Sequence, residues 1–174
     1  MTLVFRRLQT GIGELLSAAH DRGICRIAFP ADLTDQWFPW FDRQYSVVPH
    51  AGDHPWLRAF ERQLEEYLER RRREFTIPID LRGTPFQLEV WERFTKIPYG
   101  STVTYGEVAR ELGRPKASRA VGAASAGNPI PLLVPCHRVT GSTGRLVGFG
   151  GGLELKGRLL GIEGARIPFD VPER

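Results

Sequence analysis

A cysteine and a histidine are adjacent in residues 135–139, which read Pro-Cys-His-Arg-Val and follow the apolar stretch 130–134. A thiol reacts as its thiolate, and a free cysteine ionises only near ~8.5. The imidazole of His137, the guanidinium of Arg138 and a carboxylate from elsewhere in the chain are the kinds of group that lower this value. The first hypothesis is therefore that Cys136 is a nucleophile.

Cys136 also has a structural alternative, because cysteine is among the most buried residue types and packs as a small hydrophobe. Side chains that are neighbours in sequence often point apart, and the histidine partner of a catalytic cysteine usually comes from elsewhere in the chain. The only other cysteine, Cys25, lacks a comparable polar setting. Adjacency alone leaves both roles for Cys136 open.

The elements before the cysteine predict a helix-turn-helix. Residues 104–112 have a helical apolar period behind Thr104, which is a good N-cap. Gly113 and Pro115 end this helix, and residues 117–126 form the second one. The second helix carries alanines and glycine almost throughout, with Arg119 as its one long side chain. It can therefore approach a partner closely, or pack tightly against its own core.

The residues from 84 to 164 closely resemble the O6-alkylguanine-DNA alkyltransferases, single-turnover proteins that repair alkylated guanine. The pieces that match occur in the family's order and at about its spacing, over roughly half the chain. The N-terminal half resembles the family's variable first domain only in outline. The matching pieces are residues 84–91, 97–100, 104–107, 119–122, 127–129, 135–139, 150–153 and 162–164.

This resemblance implies a catalytic set. Cys136 matches the alkyl acceptor, whose thiolate attacks the carbon on O6 of guanine and keeps the alkyl group. His137 and Glu163 match a relay in which the carboxylate orients the imidazole, and the imidazole takes the thiol proton through a water. Tyr105 matches the hydroxyl that helps to receive the leaving guanine. We expect His137 and Glu163 to matter for the chemical step and not for folding or DNA affinity; a plain helix-end carboxylate is the alternative for Glu163.

The resemblance also implies a DNA-binding helix and a substrate pocket. Arg119 matches the finger that enters the duplex where the base has left, and the helix would lie in the minor groove, which carries little sequence code. Phe149 stands where many members carry tyrosine, which leaves the substrate range open. Backbone groups of Cys136, Val139 and Gly150 match those that bind the guanine, and Asn128 matches a buried amide near the cysteine. The predicted DNA-binding residues are Arg119, Ser118, Ala120, Gly122, Ala126 and Lys116, and the predicted pocket residues are Val139, Phe149, Gly150, Asn128 and Arg138.

Composition agrees with a globular protein: of 174 residues, 41% are hydrophobic and 25% are charged. No stretch of about 18 apolar residues is present, so no membrane span is expected, and residues 1–10 lack a signal-peptide core. Two cysteines in separate contexts favour a reducing compartment, so we expect a cytoplasmic protein. If the source is bacterial or archaeal, we expect it to be associated with the nucleoid, and we expect a monomer in solution. Cys25 and His20 fall short of the four ligands of a zinc site, so neither a metal nor a cofactor is predicted.

Charge is distributed unevenly along the chain. Residues 1–83 hold 12 Lys/Arg against 12 Asp/Glu, whereas residues 84–174 hold 12 against 8. The whole excess lies in the half with the helix-turn-helix, which suits a polyanion such as double-stranded DNA. The arginine run 70–73 ends the periodic segment 55–73, and a solvated helix end is its preferred interpretation.

The pattern along the chain predicts an α/β protein with two domains. The first, 1–80, is a small mixed α+β domain, and the second, 84–169, is a mostly helical alkyltransferase and DNA-binding domain with the helix-turn-helix. The first domain is predicted to contain strands at 3–9, 14–19 and 24–29, a helix at 35–45, a loop through Pro49 and Gly52, a helix at 55–73 and an edge strand at 75–79. The second is predicted to contain helices at 86–96, 104–112, 117–126 and 153–161, with a glycine-rich loop at 141–152.

Two rival functions remain at this stage. A non-catalytic, alkyltransferase-like protein would bind lesions and recruit other repair factors, but such relatives replace the nucleophilic cysteine, commonly with tryptophan. A cysteine hydrolase of unrelated fold would need an oxyanion site, and nothing specific in the sequence marks one. Transfer of the alkyl group to the protein itself distinguishes an alkyltransferase from both alternatives.

Overall fold

The computed structural model describes residues 1–30 and 35–166, and the chain divides into two compact units, Met1–Arg82 and Gly83–Arg174. In the first unit the elements are β1 (Val4–Thr10), β2 (Gly13–His20), β3 (Gly23–Ala28), α1 (Trp37–Tyr45), β4 (His50–Ala51) and α2 (Pro55–Leu68). In the second they are α3 (Pro85–Thr95), β5 (Val103–Thr104), α4 (Tyr105–Glu111), α5 (Ser118–Ala126), β6 (Val139–Thr140) and α6 (Leu153–Ile162). A 3₁₀ turn, Cys136–Arg138, lies between α5 and β6.

The first unit is built on a sheet in the order β3-β2-β1-β4, in which β1, β2 and β3 are antiparallel neighbours and β4 runs parallel to β1. Six consecutive residues of β2 are buried, so both faces of this strand are covered. Aromatic residues of α1 pack on one face with Cys25, and α2 contacts β1, β2 and β3. The predicted mixed α+β architecture is confirmed.

Three predictions for the first unit are wrong in detail. Residues 75–79 do not form a strand, because Pro78 has no N–H to donate to a ladder; only a bridge between Ile24 and Ile79 forms. His50–Ala51, predicted as loop, pairs with β1. The helix ends at Leu68 rather than at residue 73, and Arg70 adopts a left-handed φ of 61° just beyond it. The arginine run therefore lies outside the last turn of the helix.

Gly23 explains how the end of the first unit joins the sheet. Its φ is 136°, and a Cβ built there would lie 2.1 Å from the carbonyl oxygen of Pro78. Only glycine leaves room for Ile24 N to donate to Pro78 O (2.9 Å) and for Asp80 N to donate to Ile24 O (2.8 Å).

The helices of the second unit begin where their sequence signals are strongest. Thr84 and Thr104 each close a capping box, with Gln87 and Glu107 three residues on. Gly113, at φ 71°, ends the segment after α4, and α5 follows as the second helix of the predicted helix-turn-helix. The indole N–H of Trp91 donates to Ala124 O (2.8 Å), which ties α5 to α3.

Candidate active site

The approach to Cys136 is held by an asparagine side chain. The amide nitrogen of Asn128 donates to Val134 O (2.9 Å), and its oxygen accepts from Ile130 N (3.0 Å). Cys136 N also donates to Val134 O (2.8 Å). The chain then enters the 3₁₀ turn and continues into β6, which pairs with β5. Cys136 is a thiol, not part of a disulfide, and is 6% exposed.

A histidine and a carboxylate lie buried beside the cysteine turn. Nε2 of His137 is 2.8 Å from Oε1 of Glu163, and both side chains are almost fully buried. Burial lowers the pKa of His137 below its usual value, although the hydrogen bond to Glu163 opposes this shift. Within the described residues, Nδ1 of His137 has no hydrogen-bond partner. The ring is therefore held by the hydrogen bond at Nε2, and Nδ1 is the nitrogen that can accept a proton.

Glu163 is a shared acceptor and not an isolated helix-end carboxylate. Nε and Nη2 of Arg138 donate to it (2.9 and 2.8 Å), while Nη1 of Arg138 donates to Ile97 O (2.8 Å). Burial alone would raise the pKa of Glu163, but hydrogen bonds from His137 and Arg138 outweigh burial and lower the pKa to about 2. Arg138 was predicted as a pocket residue, and its buried guanidinium binds the Glu163 carboxylate.

This ion pair also changes an expectation about folding. Removing one partner of a buried ion pair leaves an uncompensated charge and typically costs about 3–5 kcal/mol. Because Glu163 is the counter-ion of buried Arg138, it contributes to folding as well as to the site. This differs from the expectation that Glu163 matters only for the chemical step, and we predict that its replacement also lowers the free energy of unfolding.

The segment after α3 supports the same carboxylate. Gly100 N donates to Oε2 of Glu163 (3.2 Å), and the hydroxyl of Tyr99 donates to Ile162 O (3.2 Å). Gly100 has φ 78°, and a Cβ there would lie 2.9 Å from Glu163 O. Sequence reasoning assigned no role to Gly100. The only sign of a role in the sequence is that Gly100 belongs to the segment 97–100, which matches the family.

A buried lysine is the main feature that sequence reasoning missed. Lys156 is fully buried, and its Nζ donates to Val139 O (2.6 Å), Val147 O (2.8 Å) and Gly148 O (3.3 Å). Burial lowers the pKa of Lys156 to about 8, while the negative charge of a Cys136 thiolate would raise it. The sequence signal was a lysine on the apolar face of α6, among Leu159 and Leu160.

Tyr105 and Phe149 lie at the same side of the turn. The Tyr105 hydroxyl donates to Val147 O (3.4 Å), and burial raises the pKa of this phenol, with a further rise from Cys136. The ring of Phe149 meets His137 edge-on, with 6.5 Å between centroids. Phe149 is half-buried, Gly150 is exposed and Val139 is buried. The predicted catalytic set and most pocket residues thus meet around the cysteine turn.

The other predicted group lies on the outer face of α5 and in the turn before it. Arg119, Ala120, Ala126 and Lys116 are exposed, and Ser118 and Gly122 are half-exposed. A Cβ built at Gly122 would have nothing within 4 Å, so the packing of the protein does not require glycine there. The opposite face of α5, with Val121, Ala124 and Ser125, is buried.

Two observations bear on other classes of site, for the described residues only. None of the helices is long and apolar enough to cross a bilayer. No cluster of three or more His, Cys, Asp or Glu side chains is arranged to hold a metal ion.

Comparison with known proteins covers both units. Residues 3–81 match the family model for the 6-O-methylguanine DNA methyltransferase ribonuclease-like domain, and residues 85–165 match that for the DNA binding domain of the same protein. The methylated-DNA–protein-cysteine methyltransferase of Mycobacterium leprae is 52% identical over 158 residues, covering 91% of this chain and 90% of the relative. That of Mycolicibacterium paratuberculosis is 50% identical and covers 94% of each chain.

A solved structure agrees with the sequence relatives. The Mycobacterium tuberculosis OGT in complex with DNA matches with a TM-score of 0.79 at 38% identity, over 94% of both chains. Two family models that together span residues 3–81 and 85–165, and relatives at about half identity over nearly the whole chain, lead to one conclusion: the chain belongs to the 6-O-methylguanine DNA methyltransferase family.

Proposed function

We propose that the protein is a DNA-repair enzyme that transfers an alkyl group from O6 of guanine in DNA to its own Cys136 in a single turnover. The observation that carries this proposal is the buried Cys136–His137–Glu163 constellation in a family member. The cysteine is retained, which favours transfer over the non-catalytic, lesion-binding alternative. We place the protein in the cytoplasm, associated with the nucleoid if its source is bacterial or archaeal.

In the proposed reaction the Cys136 sulfur attacks the alkyl carbon, a carbon–sulfur bond forms, and the bond between that carbon and O6 breaks. His137 receives the thiol proton at Nδ1 through a water, while Glu163 holds the ring through Nε2. The leaving guanine gains charge, and the Tyr105 hydroxyl beside the cysteine exchanges its long hydrogen bond to Val147 O (3.4 Å) for one to the guanine. The product is a thioether, which does not regenerate the thiol, so turnover stops.

Nucleotide flipping precedes this step, since a stacked base cannot enter a pocket at the turn, and extrusion costs a few kcal/mol. We assign DNA binding to the outer face of α5, with Arg119 entering the stack and Lys116 near phosphate. The small residues of this face support close approach to the minor groove, because the protein's own packing does not require glycine at position 122. The second unit would thus carry both DNA binding and chemistry.

The decisive experiment is intact mass after exposure to a duplex with one O6-methylguanine. The protein should gain one methylene, and peptide mapping should locate it on Cys136. A hydrolase or a binding-only protein would show no stable gain. Repetition with an O6-benzyl duplex then tests whether Phe149 and the following glycines admit a larger group.

The DNA-binding assignment has its own test, in which Gly122→Leu is compared with Gly161→Leu. Both glycines are helical and have open space where a Cβ would stand. Gly122→Leu should fold and lose duplex affinity, whereas Gly161→Leu should keep it. Arg119→Ala should weaken binding and reduce the salt slope by about 1, unlike Arg62→Ala at an exposed arginine of α2. Equal affinity of both glycine variants would move the DNA surface away from α5.

A further inference from the structure

Lys156 has no part in the reaction as proposed, yet its charge is buried. A buried ammonium is costly unless paired or fully hydrogen-bonded. All three protons of Lys156 have carbonyl acceptors, and these come from two separate segments: Val139 at the end of the cysteine turn, and Val147 and Gly148 in the loop 141–152. The ammonium therefore links the loop to the cysteine segment.

Where Lys156 binds it, the loop is exposed. Val147 and Gly148 are exposed, so burial of apolar surface contributes little at this point. Gly148 also has a φ of 48°, a conformation that glycine adopts without strain. The hydrogen bonds of Gly141, Gly144 and Gly152 close turns within the loop and do not anchor it to the turn at Cys136. Besides Lys156, the Tyr105 hydroxyl binds the Val147 carbonyl, at 3.4 Å.

The residues that this loop positions belong to the pocket. Phe149 follows Gly148 directly and meets His137 edge-on. Lys156 and Glu163 are seven residues apart in and just after α6, so they share one face, and α6 packs on the cysteine turn. One helix face thus supplies the carboxylate that holds His137 and the ammonium that holds the loop.

We propose that Lys156 is a positioning residue that latches the loop 141–152 onto the cysteine segment and so fixes Tyr105 and Phe149 around the alkyl group. This inference rests on the proposed function for its effect on transfer, but the latch itself is a property of the protein without DNA. The depressed pKa of Lys156 agrees with a charge held in place by geometry and not by a carboxylate.

The test compares Lys156→Met, which keeps the length of the side chain without its charge, with Lys96→Met at an exposed lysine paired to Glu92. Amide hydrogen exchange of the loop 141–152, in which Gly141, Gly144 and Gly152 donate hydrogen bonds, should accelerate at least about tenfold in the DNA-free Lys156→Met protein, because the two charge-assisted hydrogen bonds from Lys156 to the loop are lost. Exchange should be unchanged in Lys96→Met. The rate of methyl transfer should fall by a similar factor while duplex affinity stays the same.

Unchanged exchange of the loop 141–152 in a folded Lys156→Met protein overturns the latch. Loss of duplex affinity in proportion to the transfer rate also overturns it, since that pattern indicates general damage. If wild-type protein transferred no methyl group, the proposed function would fail, and the exchange data would still decide the latch.

A second measurement covers the case in which Lys156→Met does not fold. Exchange of the loop 141–152, corrected for the intrinsic rate, is followed from about pH 6.5 to about pH 9 in Cys136→Ser protein. The pKa of Lys156 is about 8 with the thiol in place, and loss of the thiolate lowers it further, so the range extends below that value. Of the titratable groups beside Lys156, burial lowers the pKa of His137 below 6.5 and raises that of Tyr105 above 10, so neither changes charge in this range. Glu163, whose pKa is lowered to about 2, stays ionised and paired with Arg138. Protection of the loop should fall several-fold as Lys156 deprotonates, while α3 stays protected. Constant protection of the loop overturns the proposal.

Discussion

The two units each bury a histidine against a carboxylate, beside a cysteine and a tyrosine. In the first unit His20 Nε2 lies 3.0 Å from Asp80 Oδ2, and the pKa of Cys25 responds to both Asp80 and Tyr45. In the second unit, His137 Nε2 lies 2.8 Å from Oε1 of Glu163. The negative charge of a Cys136 thiolate contributes to the raised pKa of Tyr105. Burial lowers the pKa of both histidines. The residue types of a thiol site therefore occur twice.

The two clusters differ in where the cysteine stands. Cys25 lies inside β3, its Sγ donates to Ala18 O (3.4 Å), and burial raises the pKa of its thiol to about 12. It belongs to the hydrophobic core beneath α1. Cys136 instead lies on a 3₁₀ turn that leads toward the partly exposed loop 141–152. Both thiols are buried, so the difference lies in what surrounds them: Cys25 packs within a core strand, whereas Cys136 lies on a turn beside a partly exposed loop.

The carboxylates also differ. Asp80 is shared by His20, by the Tyr45 hydroxyl (3.1 Å) and by Arg22, which is itself exposed, whereas Glu163 and its arginine partner are both buried. The first cluster fixes the end of its unit to the sheet. The second holds a histidine next to a thiol.

The largest expected difference concerns the two thiols. Cys136→Ser should abolish alkyl transfer, because a hydroxyl is a far weaker nucleophile at neutral pH, and it should leave duplex binding nearly intact. Cys25→Ser should transfer at the wild-type rate. Mass spectrometry after exposure to the alkylated duplex measures both, and methylation of the Cys136→Ser protein at another residue would end the comparison.

The histidines give the next largest contrast. His137→Gln should slow single-turnover transfer by about 100-fold, within the range for loss of a general base, and its pH profile should move towards that of an ordinary thiol. His20→Gln should change the rate less than about twofold, since it acts only on folding of the first unit. The double variant His137→Gln/Glu163→Gln should lose little more than either single one, because the groups act as a unit. Additive losses would remove the relay.

The carboxylates should differ in stability. Glu163→Gln leaves Arg138 buried without its counter-ion and should lower the free energy of unfolding by about 3–5 kcal/mol. Asp80→Asn removes an acceptor whose arginine partner is exposed to water, and should lower it by about 1–3 kcal/mol. Urea unfolding followed by circular dichroism compares the two. A larger loss of unfolding free energy for Asp80→Asn than for Glu163→Gln would contradict the assignment of Arg138 and Glu163 as the more stabilising ion pair.

The smallest expected effect is in acid. The pKa of Glu163 is lowered from 4.5 to about 2 in the folded protein, so its contribution to stability is complete above pH 4.5 and is lost as the pH falls towards 2. The two buried histidines reduce stability at a higher pH than Glu163 does. Their pKa values are lowered in the folded protein, so below pH 6.5 the unfolded chain binds protons more readily than the folded one. Stability against pH should therefore fall less steeply below pH 4.5 in Glu163→Gln than in wild type. Parallel curves would show that Glu163 is not the group that titrates.

Sequence-based prediction worked best where local chemistry fixes a boundary. Thr104 was predicted as an N-cap and does begin a helix, with Glu107 closing its capping box. Thr84 was not predicted as a cap, although Gln87 three residues later gives it the same signal. Prediction failed for the two-residue strand β4 and for residues 75–79, where a proline stands in an otherwise strand-like pattern. Pairing of such short segments depends on what lies beside them and leaves no period to detect.

The sequence by itself determined the family resemblance, the order of the helices, the helix-turn-helix and the identity of Cys136 as the cysteine to examine. Only the tertiary structure decided which charges share one site, because those contacts join residues 25 to 63 positions apart, such as Arg138 with Glu163 and Gly100 with Glu163. It also decided that Lys156 is buried, since a lysine on an apolar helix face is equally compatible with a side chain that reaches solvent. Local sequence fixes backbone conformation through caps and turns, whereas burial and charge pairing arise only when distant segments pack together.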